Sequence, residues 1–283
     1  MNRVVEGLLV VVFLLQVRGE ECANCHIARG YFSETPIEAD KAKGPQSKFG
    51  GKNYAAHIEP TFDSRTKWPE CGLLIHDLGR CGGAEMFQVE VASLSYRYCI
   101  KGKPVNLSVQ DIISCDRYNF ACSGGYIDRS WEHLEVIGVV SEQCFPFISN
   151  KELVPYCPLA EECPGGKDIP WERFKCKNGT VRRFTEDRKI RREIQENGPM
   201  MAMFEVRGDI LNHTERIYMC SQGEKLQLFL LLLGWGEDSK SKYWIARASG
   251  AYKFGVDGII KLRMGVYCPK LAHALTCDPD INS

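Results

Sequence analysis

Two hundred and eighty-three residues, 44% hydrophobic and 25% charged, suffice for one large core or two lobes of ordinary size. Lys+Arg and Asp+Glu both total 36, so no basic footprint points to nucleic acid or to an anionic membrane surface. Fourteen cysteines are many for a reducing compartment and ordinary for an oxidised chain stapled by disulfides.

Arg3 precedes a short apolar run, Gly7 to Val17, and Arg18-Gly19 follows it. That layout predicts a signal peptide over residues 1–19, with an apolar run too short to span a bilayer. No later stretch reaches 18 apolar residues. Leu226 to Trp235 is the most hydrophobic and is also too short, so no membrane span is expected in the mature chain. Residues 20–60 are polar, rich in Gly and Lys, and lack a sustained period, as expected of a short prosegment or N-terminal extension. Within them Cys22-Ala23-Asn24-Cys25-His26 has the C-x-x-C-H form of haem attachment. In a chain with this many cysteines we read it as a terminal disulfide, with Cys277 a candidate partner, and expect neither cofactor nor metal.

From Phe62 the texture changes. Phe87, Val91, Leu94 and Tyr98 recur at spacings of three and four, which predicts a helix over 84–98 with one buried stripe. Ser108, followed by Asp111 and the Ile112-Ile113 pair, starts a second helix in the manner of a capping box. Ile127, Trp131 and Leu134 share one face of a third, over 126–137, which Gly138 stops. A loop region with four cysteines fills 141–180. A charged helix over 187–196, around Ile190 and Ile194, ends at Asn197-Gly198-Pro199. Beyond it strand signals dominate, at 200–206, 226–233, 243–246 and 258–262. Helices first and strands second predict an α+β arrangement in two lobes.

Asp77 to Phe87 reads D-L-G-R-C-G-G-A-E-M-F, and this stretch resembles the D-Q-G-x-C-G-S-C-W-A-F opening of the active-site helix in papain-family cysteine proteases. Six further stretches resemble the same family, in its order. They are residues 62–71 (F-D-S-R-T-K-W-P-E-C), 107–116 (L-S-V-Q-D-I-I-S-C-D), Cys122-Ser123-Gly124-Gly125, Gly198-Pro199, Leu233-Gly234-Trp235-Gly236 and Tyr243-Trp244. The resemblance runs from Phe62 to about Ala274 and is closest to the cathepsin-B-like branch. It implies a papain-like two-lobe fold over 61–277. A helical left lobe (about 61–180) would face a β-barrel-like right lobe (about 181–277) across a cleft.

Carried over position by position, the family's catalytic groups fall on residues that cannot perform their chemistry. The nucleophilic cysteine corresponds to Ala84 and the aromatic after it to Glu85. The general-base histidine corresponds to Leu228, the asparagine that orients it to Ala248, and the oxyanion glutamine to Leu78. A methyl group cannot attack a carbonyl. Losing one member of such a unit costs about a millionfold, and an oxyanion donor is worth roughly 3 kcal/mol more. The resemblance also implies disulfides Cys71 with Cys99, Cys81 with Cys122 and Cys220 with Cys268. It leaves the partners of Cys115, Cys144, Cys157, Cys163 and Cys176 open. The 144–176 loop stands where cathepsin B carries an occluding loop, without that loop's His-His pair.

These readings lead to one expectation. The chain is a pseudoprotease, secreted or held in a lysosome- or vacuole-like compartment, with N-x-S/T glycosylation candidates at Asn106, Asn178 and Asn212. Its cleft would bind a peptide, a protease inhibitor or another protein. Gly124 and Gly125 would offer main-chain groups, Glu85 would stand at the cleft, and Ala84, Leu228 and Ala248 would form an apolar floor. Two alternatives are a peptidase with Cys81 as a displaced nucleophile, and a duplicate without a selected binding role.

Overall fold

Four helices precede the main sheet. The computed structural model describes residues 57–282, apart from 73, 159–160, 215, 240 and 250–254. The expected signal peptide, most of the 20–60 extension with its Cys22 and Cys25, and Gly250 lie outside the described residues. Strand β1 (Phe62–Asp63) leads into a single turn α1 (Ser64–Lys67), then α2 (Glu85–Ile100), α3 (Val109–Cys115) and α4 (Ile127–Val136). Ser108 caps α3 by accepting from the Asp111 N–H at 2.9 Å, as its sequence position predicts. The partner half of a capping box is absent, because Asp111 accepts instead from the Val140 N–H and the Arg173 guanidinium. Gly138 takes a positive φ of 74° just past the end of α4.

The second half is a sheet. Its strands are β2 (Arg182–Phe184), β3 (Met200–Arg207), β4 (Ile217–Tyr218), β5 (Lys225–Glu237), β6 (Lys242–Arg247), β7 (Ile259–Arg263) and β8 (Lys270–Thr276), with α5 (Asp187–Asn197) between β2 and β3. The order is β2-β8-β3-β5-β6-β7-β4, with β1 also paired to β5; β4 and β7 run parallel and the other pairs antiparallel. The path is open, so the barrel-like lobe is a sheet whose end strands do not join.

β5 explains the apolar run. Phe229, Leu231 and Leu233 join the core that surrounds α2, while Leu228, Leu230 and Leu232 join a second core with Phe204, Trp244 and Ile260. A strand buried on both faces needs no alternation, which is why the run lacks one.

Helix α2 corrects the expectation of one buried stripe. Thirteen of its sixteen residues are buried, because the helix lies between the left-lobe helices and the sheet. Its polar side chains therefore need partners, and several find them at main-chain groups of distant segments. Tyr96 donates to the Ser64 carbonyl, Ser93 to the Pro199 carbonyl, and Tyr98 to the carbonyls of Lys175 and Asp280. Arg97 donates to the carbonyls of Pro199, Gly198 and Cys277 and to Glu193 Oε1 at 2.9 Å.

Six disulfides staple the described chain. Cys71 pairs with Cys99, Cys81 with Cys122, and Cys220 with Cys268. The partners left open by the sequence are Cys115–Cys157, Cys144–Cys163 and Cys176–Cys277. Cys277 is therefore not the partner of the Cys22-Cys25 string: it closes the end of the right lobe onto the loop before β2.

Candidate functional site

The site is built at the head of α2. Asp77 Oδ1 accepts from the Gly79 N–H at 3.0 Å, and Gly79 adopts a positive φ of 53°. A side chain there would collide with the Asn150 carbonyl, which accepts from the Arg80 N–H at 2.8 Å. The chain then turns through Cys81, whose N–H reaches the Leu78 carbonyl, and enters a short 3₁₀ turn, Gly82–Ala84. Ala84 caps α2. Glu85 opens its first turn as a buried acid, where the partial positive charge of a helix N-terminus favours it.

The second wall is the Cys122–Gly125 turn. The Cys81–Cys122 disulfide joins it to the first, and Gly124 takes a φ of 85°. Asn119 fixes its far side. Its Nδ2 donates to Asp116 at 2.6 Å and its Oδ1 accepts from the Tyr126 N–H. That oxygen occupies the space a Gly125 side chain would need.

Leu78 and Ala84 lie in the core around α2, with no solvent exposure. Leu228, paired with Phe204 across β3 and β5, lies with Ala248 in the second core; Leu228 is 3% exposed and Ala248 not at all. The four positions thus form two pairs in two cores. The apolar floor expected from Ala84, Leu228 and Ala248 is interior, because each small or aliphatic side chain is covered by its own core. The accessible part of the site is its rim.

That rim carries a feature the sequence reading missed. Tyr118, Phe120 and Tyr126 are 66%, 60% and 42% exposed around the glycine turn. Phe120 and Tyr126 meet edge to face at 6.0 Å, and the Arg129 guanidinium lies 5.6 Å from the Tyr118 ring centroid. Three aromatics within nine residues, flanking C-x-G-G, were the available signal.

The acid–base inventory is sparse. None of the described cysteines is free. Burial depresses the titration of His133, and it lowers His273 to about 4. Among the described residues no cluster of His, Cys, Asp and Glu could hold a metal, and no helix is long and apolar enough to cross a membrane. The sequon residues Asn106, Asn178 and Asn212 are all exposed.

The sequence profile of the papain family cysteine proteases matches residues 58–277. The chain belongs to the papain family. Its papain-family relatives include cathepsin B of Dictyostelium discoideum, 28% identical over 74% of this chain and 71% of that protein. A cathepsin-B-like protein of Giardia intestinalis is 28% identical over 80% and 75% of the two chains. The tubulointerstitial nephritis antigen-like protein of Mus musculus is 31% identical over 74% of this chain, which spans about half (52%) of that protein. In fold, procathepsin B of Trypanosoma congolense superposes with a TM-score of 0.70 at 23% identity, over 80% of this chain and 79% of that one. This papain-family chain is thus cathepsin-B-like, with the family's α+β architecture.

Proposed function

We propose that this cathepsin-B-like chain is a catalytically inactive homologue that binds a peptide or protein segment along the rim of its cleft. The observation that carries the reading is Ala84 at the cap of α2, where the resemblance puts the nucleophile. Leu228, Ala248 and Leu78 at the positions of base, orienter and oxyanion donor point the same way. The site offers no thiol, imidazole or side-chain amide to the family mechanism. Cys81 does not supply a displaced nucleophile in this reading. It is fully buried and bonded to Cys122, and a disulfide sulfur is not a thiolate.

Binding would use what the rim exposes. Tyr118, Phe120 and Tyr126 supply apolar area at low entropic cost, and main-chain groups near Gly125 can pair with an extended segment. A relative named as an antigen-like protein, and not as a protease, fits a family branch in which the fold serves another end. The same reading keeps residues 1–19 as a signal peptide, 20–60 as a prosegment or extension, and 61–277 as the papain-like domain. It sends the chain through the secretory route, with glycans on the three exposed sequons.

The test is direct. Purified chain is incubated with cathepsin-type peptide substrates and with a thiol-directed covalent inhibitor, beside an active cathepsin B. We expect no turnover and no labelling. Reproducible hydrolysis, abolished by the inhibitor, overturns the reading.

A further inference from the structure

Asn106, Asn178 and Asn212 are equally at the surface, but the hydroxyl two residues after each asparagine is not. Transfer of an oligosaccharide needs the whole N-x-S/T unit, because the transferase reads that hydroxyl while it modifies the amide. The segment must therefore leave whatever holds it and lie extended in the transferase.

The segment after Asn106 is held on every side. Ser108 is fully buried. Its Oγ donates to the Phe145 carbonyl at 2.5 Å and accepts from the Asp111 N–H at 2.9 Å, the bond that caps α3. The main chain is committed as well. The Asn106 carbonyl accepts from the Glu142 N–H at 2.7 Å, and the Ser108 N–H donates to the Val140 carbonyl at 2.9 Å. Between them the Leu107 N–H donates to Ser95 Oγ, and the Leu107 side chain lies in the core around α2. The Cys144–Cys163 disulfide pins the segment that supplies Val140, Glu142 and Phe145. Drawing the sequon out would uncap α3, pull Leu107 from the core and strip buried main-chain groups of their partners.

Asn212 differs at each point. It ends a short 3₁₀ turn, Gly208–Asn212, and His213 after it is extended, with φ −79° and ψ 143°. Thr214 is exposed and meets no hydrogen-bond partner among the described residues. Asn178 falls between the two. The Thr180 hydroxyl donates to the Lys177 carbonyl at 2.6 Å and accepts from the Asp278 N–H at 3.1 Å, so that sequon closes only when the last residues arrive.

We propose that Asn106 accepts an N-glycan only before the left lobe folds, whereas Asn212 remains an acceptor in the folded chain. The reaction joins Asn106 Nδ2 to C1 of the sugar and breaks the bond from C1 to the lipid pyrophosphate of the donor. The amide gives up one proton to the leaving pyrophosphate. The groups that close the site arrive late, since Phe145 lies 37 residues after Ser108. A chain on the secretory route proposed above is therefore open at Asn106 until 140–145 has followed it in and packed. Occupancy at Asn106 records whether transfer outran folding.

The experiment gives the unglycosylated chain to a purified oligosaccharyltransferase with a lipid-pyrophosphate-linked oligosaccharide. One sample is native, and the other has its disulfides reduced and alkylated. Mass spectrometry of peptides reads the occupancy of each site. Asn212 should be modified in both samples. Asn106 should be modified in the alkylated chain and at least about tenfold less in the native one, where only local opening exposes it. Three results overturn the proposal: native chain as fully modified at Asn106 as at Asn212, alkylated chain modified at Asn212 but bare at Asn106, or native chain bare at Asn212. Because transfer takes place on purified chain, such a result counts against this folding gate and leaves the secretory reading and the inactive cleft untouched.

Discussion

The backbones of Gly83 and Gly124 touch: a methyl group built on Gly83 would stand 2.4 Å from the Gly124 nitrogen. It would also meet the Cys122 carbonyl oxygen and the Ser123 carbonyl carbon at the same distance. The Cys81–Cys122 disulfide draws the two walls this close. The glycines on either side of it are therefore packing requirements, independent of any chemistry in the cleft. Their retention beside an alanine at position 84 is what a preserved scaffold looks like.

Gly83→Ala should accordingly destabilise the fold, because both surfaces in collision are backbone and neither can rotate away. A cost of about 1–3 kcal/mol is expected for forced overpacking. Ala84→Gly, one residue on, removes a methyl without any collision and should cost less. Thermal unfolding of the two variants ranks them, and an unchanged midpoint for Gly83→Ala would contradict the close approach.

Glu90 gives a pH-dependent prediction. It is fully buried in α2, accepts from Ser130 Oγ at 2.8 Å, and leaves Oε2 without a partner. Burial pushes its carboxyl well above the ordinary range, and Asp116 and Asp128 push the same way. The folded protein therefore favours the protonated form of Glu90 more than the unfolded chain does, its folded value lying above the unfolded one of about 4.3. Its stabilising contribution is complete below about pH 4.3 and is lost as pH rises through the folded value. Glu90→Gln keeps the shape and the Ser130 bond without that loss. The variant should match the parent near pH 4 and exceed it at pH 8 in urea midpoints. Half-buried His273, lowered to about 4, acts oppositely: its contribution is present above about pH 6.5 and is lost as pH falls toward 4. His273→Phe should therefore flatten the acid side of the profile and leave the alkaline side alone.

Arg97 ties the lobes together. Its guanidinium is buried against Glu193 and three main-chain carbonyls drawn from the α5–β3 junction and the end of β8. Arg97→Met strands those acceptors, although Arg182 still reaches Glu193 at 3.1 Å. Breaking one side of a buried pair costs about 3–5 kcal/mol, and the surviving Arg182 contact places this variant at the low end. The discriminating readout is the urea profile, in which separate transitions for the two halves would mark Arg97 as the interlobe clamp. A single transition at the parental midpoint would refute that role.

How much of this was legible in the residues follows from what each signal depends on. The spacing of Ile190 and Ile194 and the Gly198 stop placed α5 almost to the residue, because a solvated helix shows its apolar stripe openly. β5 announced itself as a run but not as thirteen residues, since Lys225 at one end and Gly234, Gly236 and Glu237 at the other resemble loop. β8 went unread. Lys270-Leu271-Ala272-His273-Ala274-Leu275-Thr276 has no β-branched residue before Thr276, and only its pairing with β2 and β3 makes it a strand. The resemblance supplied the identities at positions 78, 84, 228 and 248. Their complete burial depends on what tertiary packing lays over them, which no local pattern encodes.

That burial decides the last prediction. On the proposed reading, placing at these positions the groups that the resemblance assigns to them, with Ala84→Cys, Leu228→His and Ala248→Asn, should not produce an enzyme. Leu228 is 3% exposed among Phe204, Tyr218 and Ile260, and covering such a side chain contributes about 1.5–3 kcal/mol. An imidazole in its place forfeits that contribution and buries a polar ring. The new asparagine enters a core that presently holds only a methyl, which forces overpacking as well. Leu78 still lacks the amide that would steady an oxyanion. The triple variant should melt well below the parent and hydrolyse a cathepsin-type fluorogenic peptide no faster than the parent does. Adding Leu78→Gln should lower stability further without producing turnover. A triple variant that folds at the parental midpoint and cleaves the peptide at a cathepsin-like rate would mean that the cleft opens far more readily than its packing indicates.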